Sequence, residues 1–564
     1  MSRFRPFIGF GPVLLLALIA EPAPAQACGG LFCSASAPVN QAAERIIFSK
    51  NADQTVTAVV QIQYEGPSEE FAWVLPVPGI PEVKVSSDLA FSRLQQASDP
   101  QYSFTTVVEG RCKRVRERGD SASSGSAPSG NAGFDGTGGS GGVDVLASGT
   151  VGPYDYVVIE PRASSEQIGD VAVEWLTGQG YDVVPPGGDP DEIASLLGEY
   201  LQDAMNLLAF RLTKGNDTGT IRPVWITYES DQPMIPIRPT AVAANDDMGV
   251  MVWVLGESRA VPVNYKGLEL NQALINWLNG ARNYNQVVIA AANEAGGQGF
   301  VSERAGPSTD YENTLMLEFE KDDWEALRMS PDVLSAMELL SESSRRFLGW
   351  DGYRALIERF VPEGVDVDDF LQCPACNPEA AEGLDKQAFI DALGEEVVEP
   401  MIATQELLLS RPYVTRLYTT LSAPEMDLDP LFDFNPDLPE VSNIHTARRV
   451  IECHRSVYQW EAPSRFELED GRVVRLNAGD PWPFLVGQDD APPANALVVS
   501  LTTSGPGMVV QDNSLAIDQA LAAHNATVAS PGCGCGVVSP RSHAATWASL
   551  ALFVLLMRRR RRPA

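Results

Sequence analysis

Cys373 and Cys376, separated only by Pro374 and Ala375, have the spacing in this chain that most directly supports chemistry. A C-x-x-C that opens a helix lowers one thiol pKa and acts as a redox dithiol. With Cys453 and His454 the same pair would offer three sulfurs and one imidazole, a donor set that suits zinc. The third reading, a structural disulfide, is the expected one, because the N-terminus described below sends the chain to an oxidising compartment and no thioredoxin-like strand precedes Cys373. Cys28, Cys33, Cys112, Cys373, Cys376 and Cys453 form an even set once the tail cysteines are put aside, with Cys28–Cys33 and Cys373–Cys376 as local pairings and the rest open.

Oxygen ligands recur in the acidic loop of Asp427, Asp429, Asp433, Asn435 and Asp437. Calcium takes about six to eight hard oxygens, so these residues are the calcium candidate. The loop lacks the glycine and glutamate of an EF-hand, and a solvated turn with aspartate caps is the plainer expectation. For hydrolysis the chain has His445, His454, His524 and His543, with no H-E-x-x-H, so no catalytic residue is assigned. A Ser/His/Asp site assembled across the fold is a matter of geometry and stays open. Gly296-Gly297-Gln298-Gly299 has no lysine and reads as a tight turn, not a phosphate loop.

The elements that must hold these residues read as an α+β (mixed α/β) chain of two or three domains. Residues 28–116 are strand-rich. Val56 to Tyr64 is β-branched and bounded by turn residues, and Phe71 to Pro78 is expected to form a hairpin with it, ending or lying at an edge because Pro76 and Pro78 cannot donate ladder hydrogen bonds. Ser86 to Ala97 reads as a helix. Residues 117–142 are a Gly/Ser-rich flexible loop. In the mixed region 143–265, a strand from Tyr156, a helix capped by Ser164 and a strand Tyr181 to Val184 precede a helix starting at Asp189-Pro190, then strands at Val224 to Tyr228, Met234 to Ile237 and Met251 to Leu255. Residues 266–410 are helix-rich, beginning with the stripe Ala273, Leu274, Trp277 and Leu278. Residues 411–532 return to strands with a helix near Leu515 to Ala523.

The ends carry an address. Residues 1–27 have Arg3 and Arg5, an apolar stretch from Val13 to Ala20 and a terminal Ala25-Gln26-Ala27, the order of a secretory signal peptide. Cleavage there would expose Cys28, which leaves lipid attachment open as an alternative. Residues 533–564 contain Cys533 and Cys535 among glycines, a charge-free run from Ala544 to Met557, and then Arg558, Arg559, Arg560, Arg561 and Arg562. The arginines mark a cytoplasmic side by the positive-inside rule. This order resembles the myxobacterial sorting signal MYXO-CTERM. The resemblance implies processing and anchoring at a cysteine, with the apolar segment and arginines removed; an ordinary tail anchor is the alternative. Either way the chain is expected to meet export and C-terminal processing machinery and to touch the membrane through its C-terminal segment, with the bulk exported to the outer surface or periplasm.

Charge narrows the partners. The chain has 41 basic and 74 acidic residues, −33. Setting aside Arg3, Arg5, Arg541 and Arg558 to Arg562 (eight basic) and Glu21 (one acidic) leaves 33 against 73, or −40. Such a surface repels phosphates, so no nucleic-acid partner is expected. Divalent cations, calcium or zinc, are favoured electrostatically.

Several blocks, Cys28 to Cys33, Gln41-Ala42-Ala43-Glu44-Arg45, Phe71 to Pro76 and Pro236-Ile237-Arg238-Pro239-Thr240-Ala241, together with Asn264-Tyr265 and Glu294 to Phe300, resemble the domain-of-unknown-function family numbered 2330. The resemblance implies an exported protein and supplies no activity. The expectation is therefore a non-catalytic binding or structural module of the cell surface, with a secreted hydrolase or a metal-stabilised surface protein as alternatives.

Overall fold

The computed structural model describes residues 40–65, 72–113, 143–181, 183–184, 189–212, 222–242, 244–341, 347–349, 352–488 and 491–528. The signal peptide, Cys28 and Cys33, the Gly/Ser-rich loop, and the tail with Cys533, Cys535 and the arginines lie outside these residues. Among the described residues no helix is long and apolar enough to cross a membrane. The fold is mixed α+β, as expected, with strands and helices in two compact units.

The larger unit takes in the described residues between 40 and 102, 143 and 445, and 484 and 517. Its frame is a ten-stranded sheet ordered Met508–Asp512, Asn495–Ser500, Lys266–Leu270, Gly299–Pro307, Tyr413–Leu421, Ala244–Gly256, Asn40–Lys50, Thr55–Glu65, Val224–Glu229, Glu82–Val85. Most neighbours are antiparallel. Asn40–Lys50 runs parallel to Ala244–Gly256, and Lys266–Leu270 parallel to Gly299–Pro307. The second parallel pair is joined through the helix Tyr284–Glu294, the long crossover that a parallel connection requires. The strands therefore come from four of the regions separated along the chain.

A four-stranded sheet, ordered Ala72–Pro78, Met205–Leu212, Tyr154–Pro161, Val143–Val151, packs face to face on the first. Ile46, Phe48, Val60 and Ile226 from one sheet meet Trp73, Leu75, Val158 and Phe210 from the other in one apolar core. Trp73 stacks on Phe210 with ring centroids 5.2 Å apart. The outer face of the small sheet is covered by the helices Ile168–Gly178 and Pro190–Gln202, through residues such as Trp175, Leu176 and Leu197. The far face of the large sheet, with Ile47, Val59 and Trp253, lies under the helix Asp88–Ser98 and the helices of the middle region. Both faces of the central strands are buried, which is why Ile46 to Phe48 and Val56 to Ile62 read as nearly continuous apolar runs.

Several expectations are corrected. Thr55–Glu65 forms its hairpin with Asn40–Lys50, through a turn in which Gln54 takes φ +65°. Ala72–Pro78 instead pairs only with Met205–Leu212, in the other sheet, as an edge strand. Pro76 and Pro78 suit an edge, where a missing N–H faces no partner. The second helix begins at Ile168, one turn after Ser164, whose hydroxyl lies 3.2 Å from the Gln167 side chain. Tyr181, Val183 and Val184 are not in a strand, and Met234 makes only an isolated bridge to Leu431. The stripe at Ala273 to Leu278 forms turns and the short 3-10 segment Trp277–Asn279, stopped by Gly280 in the left-handed region.

The smaller unit takes in the described residues between 103 and 113, 446 and 483, and 518 and 528. Its sheet orders Val473–Leu476, Ser464–Glu467, Ile444–Cys453, Gln101–Gly110. Phe466 is packed edge-on by Phe104 and Trp482, and a disulfide joins Cys112 to Cys453 across 341 residues of chain.

Candidate functional site

Between the two sheets of the larger unit lies a cavity of about 150 Å³. One wall is the large sheet, through Ile46, Phe48, Ala58, Val60 and Ile226; the other is the edge strand Ala72–Pro78, through Leu75, Pro76 and Val77. Pro78, Met205, Ser230, Gln232, Met234 and Pro236 also line it and are half-buried, so the cavity reaches solvent on their side. Among the described residues Glu44 is the only charged one that lines the cavity, and Tyr228 the only other titratable one.

Glu44 is 7% exposed and sits two and four residues before Ile46 and Phe48 on the same strand face. Nothing in the alternation alone would put Gln41 on that face. The register of Asn40–Lys50 shifts between Gln41 and Ala43 against both neighbouring strands, a β-bulge that inserts Ala42 and brings Gln41 round to the side of Glu44. Gln41 Nε2 donates to Glu44 Oε2 at 3.4 Å, while Gln41 Oε1 is buried without a hydrogen-bond partner. Removal from water pushes the Glu44 carboxyl up to about 7, against the smaller downward pull of Gln41, and among the described residues no cationic side chain acts on it. Burial also holds the Tyr228 hydroxyl above its ordinary value.

The next residue of the same block has a different use. Arg45 points to the opposite face, where its Nη1 donates to Gln61 Oε1 at 3.2 Å and Gln61 Nε2 donates to Asp88 Oδ1 at 2.6 Å. Burial pushes the Asp88 carboxyl up to about 6. Farther along that face the Arg416 side chain, 2% exposed, meets Glu303 at 2.6 Å between Nε and Oε2, an ion-pair contact without hydrogen-bond alignment. Arg416 also donates to Asp99 Oδ1 at 2.7 Å and Ser98 Oγ at 2.9 Å, and Tyr284 donates to Glu303 Oε1 at 2.7 Å. Burial raises the Glu303 carboxyl and Arg416 opposes the rise. This cluster is closed by its own members and ties Asp88–Ser98 to the sheet.

The residues singled out from the sequence are dispersed. Cys373 is bonded to Cys376, the local pairing expected, and Cys453 to Cys112 in the other unit. The zinc set of Cys373, Cys376, Cys453 and His454 is therefore not brought together, and His454 Nδ1 lies 2.9 Å from Ser456 Oγ at an exposed position. The calcium set diverges as well. Asp429 accepts from Tyr200 and the Arg238 backbone, Asp427 from Gln298, and Asp437 from Gly505; Asp433 faces Lys50, and Asn435 donates to the carbonyls of Thr502 and Gly505. These side chains anchor several stretches of chain, Asn435 and Asp437 sharing the one around Gly505. Among the described residues no group of three or more His, Cys, Asp or Glu side chains could hold a metal ion. His445 stacks on Tyr102 at 4.5 Å, His524 Nε2 is 2.8 Å from the Arg475 carbonyl oxygen, and no histidine or cysteine lines the cavity.

Glu44 and Gln41 were not among the residues read as chemical. The available signal was Glu44 in register with Ile46 and Phe48, an acid on an apolar strand face. The blocks Gln41 to Arg45, Phe71 to Pro76 and Pro236 to Ala241 meet here, each contributing a lining residue. Asn264 and Tyr265 instead hold the carbonyls of Asp429 and Leu428, and the Glu294 carboxylate accepts the backbone N–H groups of Ala494 and Asn495. A family model described as an uncharacterized protein conserved in bacteria (DUF2330) matches residues 22–321, a span that holds every lining residue except Leu431. No curated protein and no solved structure matches the chain.

Proposed function

The chain belongs to the DUF2330 family of uncharacterized proteins conserved in bacteria, and on that premise we propose that it is an exported cell-surface or envelope protein whose work is non-catalytic binding. The cavity between the sheets takes a small, largely apolar ligand. The observation that carries the reading is that cavity: its walls are apolar, it is open on one side, and it holds a single buried carboxyl. Ligand sites of this kind orient a mostly apolar ligand with few polar groups. Export rests on the N-terminal signal and on the tail of Cys533, Cys535 and five arginines. The paired cysteines are consistent with an oxidising compartment. A hydrolase is the weaker reading, since among the described residues neither histidine nor cysteine borders the cavity.

Toluene titrated into methyl-labelled protein tests the binding reading. The methyl resonances of Val60, Leu75 and Val77 are expected to shift together and to saturate. Shifts spread over the surface, or none, overturn it. N-terminal sequencing of the mature protein and fractionation of cells into surface, periplasmic and cytoplasmic material test the address; a retained Met1 or a chain recovered from the cytoplasm refutes it.

A further inference from the structure

The cavity has one feature that an apolar ligand alone does not explain. Glu44 brings a carboxyl to the cavity among apolar residues, and the hydrogen bond it receives comes from Gln41 beside it. Gln41 Nε2 donates to Glu44 at 3.4 Å, the Gln41 carbonyl oxygen is buried without a hydrogen-bond partner, and among the described residues no cation acts on the carboxylate. Burying an ionised carboxylate without a cation is among the costlier arrangements in a protein interior, and the usual remedy is a paired positive charge. Here the bulge at Ala42 holds the two side chains together, with Glu44 the one that lines the cavity, so the arrangement is built into the backbone.

We propose that the ligand of this cavity is a small primary amine with an apolar body, its ammonium group received by Glu44. The assignment rests on the binding reading given above. An ammonium carries three donors and no acceptor, which matches a cavity whose charged group is a buried carboxylate. A carboxylate-bearing ligand would be repelled, and a hydroxyl supplies one donor and no charge. The strand register sets the shape: four residues separate Glu44 from Phe48, about 13 Å of extended chain, and that length is walled by Ile46, Val60 and Leu75. The ammonium sits at the Glu44 end, and the apolar body lies toward Phe48 and Ile226.

A proton competes for the same carboxylate. Amine binding therefore strengthens as pH rises through about 7, where Glu44 ionises. Tyr228, the other titratable lining group, stays protonated throughout that range because burial holds its hydroxyl high.

The experiment compares benzylamine, benzyl alcohol and toluene by calorimetry, on the full exported chain and on Glu44→Gln, at about pH 5.5 and about pH 8. The wild type at the higher pH is expected to prefer the amine over the alcohol by about tenfold or more, the scale of a hydrogen bond to a charged group. The preference falls toward parity in Glu44→Gln and at the lower pH. If alcohol and toluene bind as well as the amine, the cavity reading stands and the amine assignment fails. If none of the three binds, both fail. An amine preference that is unchanged in Glu44→Gln removes Glu44 from the site, and one that is unchanged with pH overturns it from the wild type alone.

Discussion

Replacing Glu44 by Gln keeps the shape of the side chain and removes its charge, so it isolates what burial of that charge costs. In the folded chain the carboxyl titrates at about 7 against an ordinary 4.5. At about 1.4 kcal/mol per pH unit, the difference corresponds to about 3 kcal/mol. The sign follows from proton counts. Between the two values the folded state holds the proton and the unfolded state has lost it, so this group's contribution is fully present below about 4.5 and is lost as pH rises through about 7. Glu44→Gln should therefore be nearly neutral in acid and stabilising in base. About 2 of the 3 kcal/mol should appear as pH is raised from about 5.5 to about 8.5, a window above the range in which most other carboxylates neutralise. Urea unfolding with disulfides intact, followed by tryptophan fluorescence, measures the difference between variant and wild type at each pH. A difference that stays constant across the window, or one that favours the wild type at high pH, would refute the account of Glu44 as a buried carboxyl without a cation.

Three further outcomes follow from the packing. Arg416→Met leaves Glu303 charged and buried, and should cost about 3–5 kcal/mol in chemical denaturation; adding Glu303→Met should recover a large part of it. The Cys112–Cys453 bond closes a long loop, so Cys112→Ser with Cys453→Ser should lower the stability of the smaller unit by about 2–4 kcal/mol, and unreduced digests should yield the two cysteines in one cross-linked peptide. Gly297 takes φ +79°, and a Cβ there would come within 2.5 Å of the Glu425 side chain, so Gly297→Ala should destabilise by about 1–3 kcal/mol on the same denaturation assay.

What the sequence determined by itself was local. Thr55–Glu65 was legible because β-branched residues between turn signals leave few other conformations. Pro190–Gln202 was legible because Asp189 caps it, accepting from the Asp191 N–H at 3.0 Å, and Pro190 fits the first helical position. The Cys373–Cys376 bond needed only three residues of separation. Tertiary structure decided whatever depends on partner choice. Alternation tells which residues share a face, but not which strand lies beside them, so Ala72–Pro78 could be read as a strand and still be given the wrong neighbour. The acidic loop displayed its oxygens in sequence, and only the fold showed that each was already taken by a different donor. Glu44 was one carboxylate among many until two sheets closed over it. Its chemistry comes from lost water and an absent cation, and both depend on surroundings contributed by chain far from residue 44.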